Sequence, residues 1–216
     1  MNALPEKYRP RDWAGVIGQD KAVSRLKMLE SRGNLAGRAY WISGKSGTGK
    51  TTIARIIAAK LSDSWHTQEM DSSQLTLKAI AEIRDNQHYK PMTCEGRAYI
   101  VNEAHGLRKD VIRALLVLLE ELAPYTVIVF TTTVDGQMSF EDANIDAGPL
   151  LSRCIPIELS QRGLAKAFAE RVREIAVAES LDGLPIERYI RLANDNQSNF
   201  RAMLQAVESG AMVANS

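Results

Sequence analysis

The sequence predicts an α/β fold: a parallel sheet flanked by helices, followed by a small all-helical unit. Three observations carry this reading. Short apolar strand patterns alternate with amphipathic helical patterns over residues 1–160. A glycine-rich run of the form GxxxxGK[ST] joins the first of these strands to a helix. Beyond residue 160 the strand patterns stop and only helical spacing continues. Strands separated by helical crossovers pair in parallel and are buried on both faces.

Taken in order, the spacing predicts a helix over 19–32, ended by Gly33. AYWIS (39–43) reads as a short strand bounded by Gly44. Residues 51–61 place Ile53, Ile56, Ile57 and Leu61 on one helical face. A strand over 65–70 and a helix over 75–88 follow. RAYIVN (97–102) is the next strand, and 107–122 the next helix. TVIVFTT (126–132) is the strongest strand signal, β-branched for most of its length. CIPIEL (154–159) closes the sheet. The remaining helices are expected over 164–179, 185–193 and 199–212, punctuated by Gly183 and Pro185. The domains expected are therefore 1–160, which binds nucleotide, and 161–216, a helical lid.

The chain has 216 residues, 45% apolar and 25% charged, enough for a core that needs no disulfide. Lys and Arg number 27 against 26 Asp and Glu, so a contact with nucleic acid or membrane requires a local basic patch. Cys94 and Cys154 fit no metal-ligand or redox spacing and are expected to be reduced. The opening MNALPEKYRPRDW has no apolar signal core, and no apolar run approaches the roughly 20 residues that span a bilayer. A soluble, cytoplasmic protein is expected.

GKSGTGKT (44–51) is the motif with the most chemistry in it. Gly44, Gly47 and Gly49 let the backbone curl until the N–H groups of Lys45, Ser46, Thr48 and their neighbours point at phosphate oxygens. The following helix adds its positive end. Lys50 reaches the terminal phosphates, the Thr51 hydroxyl suits Mg²⁺, and Thr52 completes the turn. ATP and Mg²⁺ are the expected ligands. Asn102–Glu103 ends a later strand, where a nucleotide-hydrolysing site of this kind carries Asp–Glu. Glu103 is the candidate base for an attacking water. Asn102 can still accept a bond from a metal-bound water, but without charge. His105 reads as a local structural residue.

Several segments together resemble the clamp-loader ATPases of the AAA+ superfamily, the bacterial DNA polymerase III gamma/tau and replication factor C small subunits. They are EKYRPRDWAGVIGQD (6–20), GKSGTGKT, EMDSS with IAEIRD, YIVNEAHGL with ALLVLLEE, LLSRC (150–154) and SNFRAML (198–204). The resemblance implies that Val16 and Ile17 line an adenine pocket and that Thr131 or Thr132 is the first sensor. It implies that Arg153 is a finger for a neighbouring subunit's site and that Arg201 reaches the phosphates from the lid. Assembly with copies of the chain or related AAA+ subunits follows from a finger acting in trans.

A sliding clamp and primer–template DNA are the further partners implied, with Arg108, Lys109, Arg113, Lys78 and Arg84 as candidate DNA contacts. Lys109 and Arg113 share a helix face. Three departures from the family are expected: a chain without a collar after the lid, no CxxC zinc module between the motifs, and a long acidic loop 134–149 carrying Asp135, Glu141, Asp142 and Asp146. The competing functions are another AAA+ DNA-maintenance motor, of branch-migration type, and a nucleotide-dependent assembly module in which Asn102 has made hydrolysis negligible.

Overall fold

The computed structural model describes residues 3–133 and 147–213. Five strands form one sheet: β1 (Arg38–Ser43), β2 (Thr67–Asp71), β3 (Arg97–Asn102), β4 (Thr126–Thr132) and β5 (Cys154–Glu158). They lie in the order β2-β3-β4-β1-β5, and every pairing is parallel. The chain leaves β1, builds one side of the sheet, then crosses β1 to add β5. The crevice at the carboxyl end of β1 is where ligands sit in sheets of this kind.

The period of two along each strand sorts side chains between two cores. On one face Tyr40, Ile42, Ala98, Ile100, Val127 and Val129 pack under α2 (Asp20–Ser31) and α3 (Lys50–Ala59). On the other, Trp41, Tyr99, Val101, Ile128 and Phe130 pack under α4 (Leu77–Asn86) and α5 (Lys109–Glu120). The register Tyr99↔Ile128 and Ile100↔Val129 keeps each set aligned across the sheet. Burying side chains of this size contributes about 1.5–3 kcal/mol each.

The expected elements are present, with shifted ends. The second strand starts two residues later than expected and ends one later, because Asp63 caps the preceding turn, its Oδ1 accepting from the N–H of His66 at 3.0 Å. α4 starts at Leu77 because the Thr76 hydroxyl accepts from Ala79 N–H at 3.2 Å, an N-cap. α5 begins late, after a 3₁₀ turn over Ala104–Gly106. Two short helices carried no sequence signal: α1 (Leu4–Lys7) and α6 (Gly148–Ser152). Of the acidic loop 134–149, residues 134–146 lie outside the described residues.

Three helices follow the sheet: α7 (Ala165–Ala178), α8 (Ile186–Asp195) and α9 (Phe200–Glu208). The last is shorter than its periodicity suggests, ending before Gly210, whose φ is +86°. These helices bury Phe168, Val172, Tyr189, Met203 and Leu204 in a core of their own. Leu4 from the far end of the chain completes it. The Leu4 N–H donates to Glu208, and Lys7 and Tyr8 both meet the Glu179 carboxylate. Immediately afterwards, Arg9 donates to the Thr52 hydroxyl of α3 at 3.1 Å, and Trp13 Nε1 donates to Glu30 of α2 at 2.6 Å. Among the described residues no helix is long and apolar enough to cross a membrane.

Candidate nucleotide site

The loop 44–49 joins β1 to α3 at the crevice of the sheet. Gly47 and Gly49 have φ of +77° and +98°, a region that L side chains rarely adopt. Gly44 needs its hydrogen for a different reason. A Cβ there would lie 2.9 Å from the Leu159 carbonyl oxygen and 3.1 Å from Thr48 Oγ1. The Thr48 hydroxyl closes the loop by donating to the Lys45 carbonyl at 2.8 Å. Lys50, buried at the start of α3, donates to the carbonyls of Gly44 and Lys45 at 2.8 and 2.9 Å. Burial lowers the pKa of its ammonium, the Glu103 carboxylate opposes that shift, and the Arg201 charge adds to it.

A cleft opens beside this loop. One part is lined by Ser46, Gly47, Lys50, Thr51, Glu103, Thr133 and Arg201, drawn from three strand ends or helix starts and from α9. The adjoining part is lined by Tyr8, Pro10, Val16, Ile17, Phe168 and Phe200, an apolar and aromatic slot of the kind a flat base fills. The glycine curl, the buried lysine and the hydroxyl and carboxylate groups beside it fit a nucleoside triphosphate with a divalent cation. Thr51 and, through water, Asn102 are the side chains able to hold that cation.

Glu103 is in the left-handed region with φ 51°, strain of the sort that collects at functional positions. Its Oε2 lies 3.5 Å from Thr133 Oγ1 and 3.5 Å from His105 Nδ1. His105 also meets the Thr132 hydroxyl at 3.2 Å, which is a local role rather than a metal-ligand set.

The pleat of β4 separates the two sensor candidates. Thr131 shares the α3 face with Val129 and donates to Asn102 Oδ1 at 2.8 Å, whereas Thr132 is on the opposite face against His105. Neither lines the cleft; Thr133, one residue further, does. A third consecutive threonine was the available signal, but it lay just past the strand's apolar pattern.

Arg201 reaches the cleft from α9, while Arg153 does not line it. Arg153 sits beside β5, ion-paired to Glu120 at the end of α5 and donating to the Pro149 carbonyl at 2.9 Å. The basic residues Lys78, Arg84, Arg108, Lys109 and Arg113 are exposed on or beside α4 and α5, with Lys78 3.8 Å from Glu82 and Arg108 3.2 Å from Asp110. Sequence reasoning missed Tyr8, Phe168 and Phe200, which become neighbours only when the start of the chain meets the helical unit. It also missed that Asp63, His66 and Cys94 come within 4.8 Å of one another. Asp63 Oδ1 there accepts from two backbone N–H groups and from His66 Nδ1, the bonds of a capped turn.

A profile of the TIP49 P-loop domain matches residues 4–83. The DNA polymerase III subunit gamma/tau of Mycoplasma genitalium is 28% identical over 226 residues, covering 94% of this chain and 36% of that protein. The replication factor C small subunit of Haloarcula marismortui is 31% identical over 182 residues, covering 82% of this chain and 53% of that protein. The chain thus spans about a third to a half of the length of these relatives. Among solved structures, the Thermotoga maritima RuvB Holliday junction branch migration motor superposes with a TM-score of 0.72 at 22% identity. That match covers 93% of this chain and 64% of RuvB, and it speaks to the fold alone. With its parallel sheet, its glycine loop and these relatives, the chain belongs to the AAA+ family of P-loop ATPases, with clamp-loader subunits among its kin.

Proposed function

We propose that the chain binds ATP with Mg²⁺ and hydrolyses it as a clamp-loader-like ATPase of DNA replication, working in an assembly with its own copies or related subunits. The observation that supports this most is the meeting of Lys50, Thr51, Glu103, Thr133 and Arg201 around one cleft. On this reading residues 1–160 form the nucleotide-binding domain and 161–216 the lid. Bound Mg²⁺ supplies positive charge to the phosphate oxygens.

The chain's own residues do the rest. Loop N–H groups and Lys50 bind the phosphates, and Val16, Ile17 and the aromatic slot take the base. Glu103 orients the attacking water and accepts its proton, with Thr133 and His105 fixing the carboxylate. Arg201 draws charge from the phosphates on the lid side. Arg153, turned away from its own cleft, serves a neighbour's site. Arginines in such positions are worth roughly 10³–10⁵ in rate where they have been measured. Asn102 puts no charge beside the cation, so turnover is slower than an aspartate there would give. Primed DNA or a sliding clamp is the partner, with the basic residues of α4 and α5 facing the phosphate backbone.

Two variants test the reading. Lys50→Ala should abolish nucleotide binding, and Glu103→Gln should keep binding while stopping turnover. A Glu103→Gln protein that hydrolyses ATP like the parent removes Glu103 from the chemistry. A parent that binds ATP tightly with turnover at background, primed DNA and a clamp included, leaves a nucleotide-dependent assembly module in place of an ATPase.

A further inference from the structure

Asn102 stands where the sequence pattern leads one to expect an Asp–Glu pair, and its neighbours give that departure a physical reason. The Asn102 Nδ2 donates to Glu69 Oε1 at 2.9 Å. On the other side, Oδ1 accepts from Thr131 at 2.8 Å and lies 3.4 Å from the Thr51 hydroxyl. Glu69 comes from β2, where residue 71 pairs with residue 102, so the two side chains meet diagonally on the α3 face of the sheet. Arg55 of α3 grips Glu69 through Nε and Nη2 at 2.7 and 3.2 Å, a two-point contact that fixes the carboxylate's rotamer.

This arrangement decides which way the amide points. An ionised carboxylate can only accept, so the NH₂ end must face Glu69 and the oxygen must face Thr51 and Thr131. Turning the amide over would set two acceptors against each other and point N–H groups toward the cation side of the cleft. An aspartate at 102 would set one carboxylate against another where the amide now donates, exchanging a hydrogen bond for repulsion. With Glu69 held by Arg55, asparagine at 102 donates on one side and still presents an oxygen on the Thr51 side.

We propose that Glu69, clamped by Arg55, is a positioning residue that holds the Asn102 amide oxygen toward Thr51, and that the pair replaces a single aspartate with its charge moved one side chain outward. The inference rests on the ATP and Mg²⁺ reading for its consequence, but the pairing itself belongs to the free protein.

The first test is binding of a fluorescent ATP analogue in EDTA and over a Mg²⁺ titration. Glu69→Gln should leave affinity in EDTA unchanged and raise the Mg²⁺ midpoint about 3- to 10-fold, the size of one ordinary net hydrogen bond. An unchanged midpoint overturns the proposal. A merely structural defect would lower affinity in EDTA equally, and that result also overturns it. The second test needs no nucleotide. Asn102→Asp should lower the thermal midpoint of the free protein by about 2–4 °C, the equivalent of roughly one such repulsion in a chain of this size. Adding Glu69→Gln should recover at least half of that loss. Effects that simply add mean the two residues are uncoupled and the proposal fails. If the parent binds no nucleotide, the functional reading fails on its own, and this second cycle still decides the pairing.

Discussion

Asn199 stands directly over Gly47: a Cβ on the glycine would come 2.9 Å from the Asn199 Cα. The residue that starts α9 is thus seated on the bend of the phosphate loop, and the absent side chain is what lets the helical unit close on it. Gly47→Ala should push α9 off the loop and strain φ at the bend. We expect nucleotide affinity to fall at least about tenfold, the equivalent of 1.4 kcal/mol, while the sheet stays folded. Titration of the nucleotide beside circular dichroism checks both halves.

The same asparagine caps its own helix, its Oδ1 accepting from Ala202 N–H at 3.2 Å. Asn199→Ala should cost about 1 kcal/mol, the usual value of an N-cap. The loss should be confined to α9, so hydrogen exchange should quicken at Ala202 and its neighbours and stay unchanged in the strands.

Arg153 and Arg201 should separate cleanly. Arg201 lines the cleft, so Arg201→Ala should weaken nucleotide binding by the chain alone, roughly 10- to 100-fold for a charge-assisted contact. Arg153→Ala should leave that affinity unchanged and lower turnover only in the assembled protein. Measuring affinity at high dilution and turnover at high protein concentration distinguishes the two. Equal effects on binding would remove the trans role for Arg153.

Acid stability should depend on Asp63. The Thr93 hydroxyl, together with the ring and backbone of His66, holds its carboxyl down to about 2. Its pKa is lower folded than unfolded, where it is near 3.9, so the folded state gains from ionised Asp63. That contribution is complete above the unfolded value and is lost as pH falls through the folded one. Urea midpoints of the parent and Asp63→Asn should therefore differ at pH 6 and converge toward pH 2. A constant difference across that range would show the cap acts without its charge.

How far the sequence could be read follows from how local each signal is. The strands 97–102 and 126–132 were legible because β-branched and aromatic residues form the middle of the first and fill the second, with both faces buried. The phosphate loop was legible because its glycines, lysine and threonine must be adjacent in the chain. The choice between Thr131 and Thr132 was not, since it depends on which face of β4 lies under α3. Tyr8, Phe168 and Phe200 were out of reach for the same reason, being far apart in sequence and joined only by packing. Glu69 passed as part of a strand pattern, and only the diagonal meeting with Asn102 gives it chemistry.

The opening segment has two footings. Leu4, Lys7 and Tyr8 are fastened to the helical unit, and Arg9 and Trp13 to the helices over the sheet. Tyr8 from the first footing and Pro10 from the second form a wall of the apolar slot. The segment is therefore a short bridle. On the proposed reading, a swing of the helical unit would draw Tyr8–Pro10 across the slot that takes the base, and a bound base would resist it. Movement of the helical unit and occupancy of the slot should then change together, and a spectroscopic probe near residue 8 would report both.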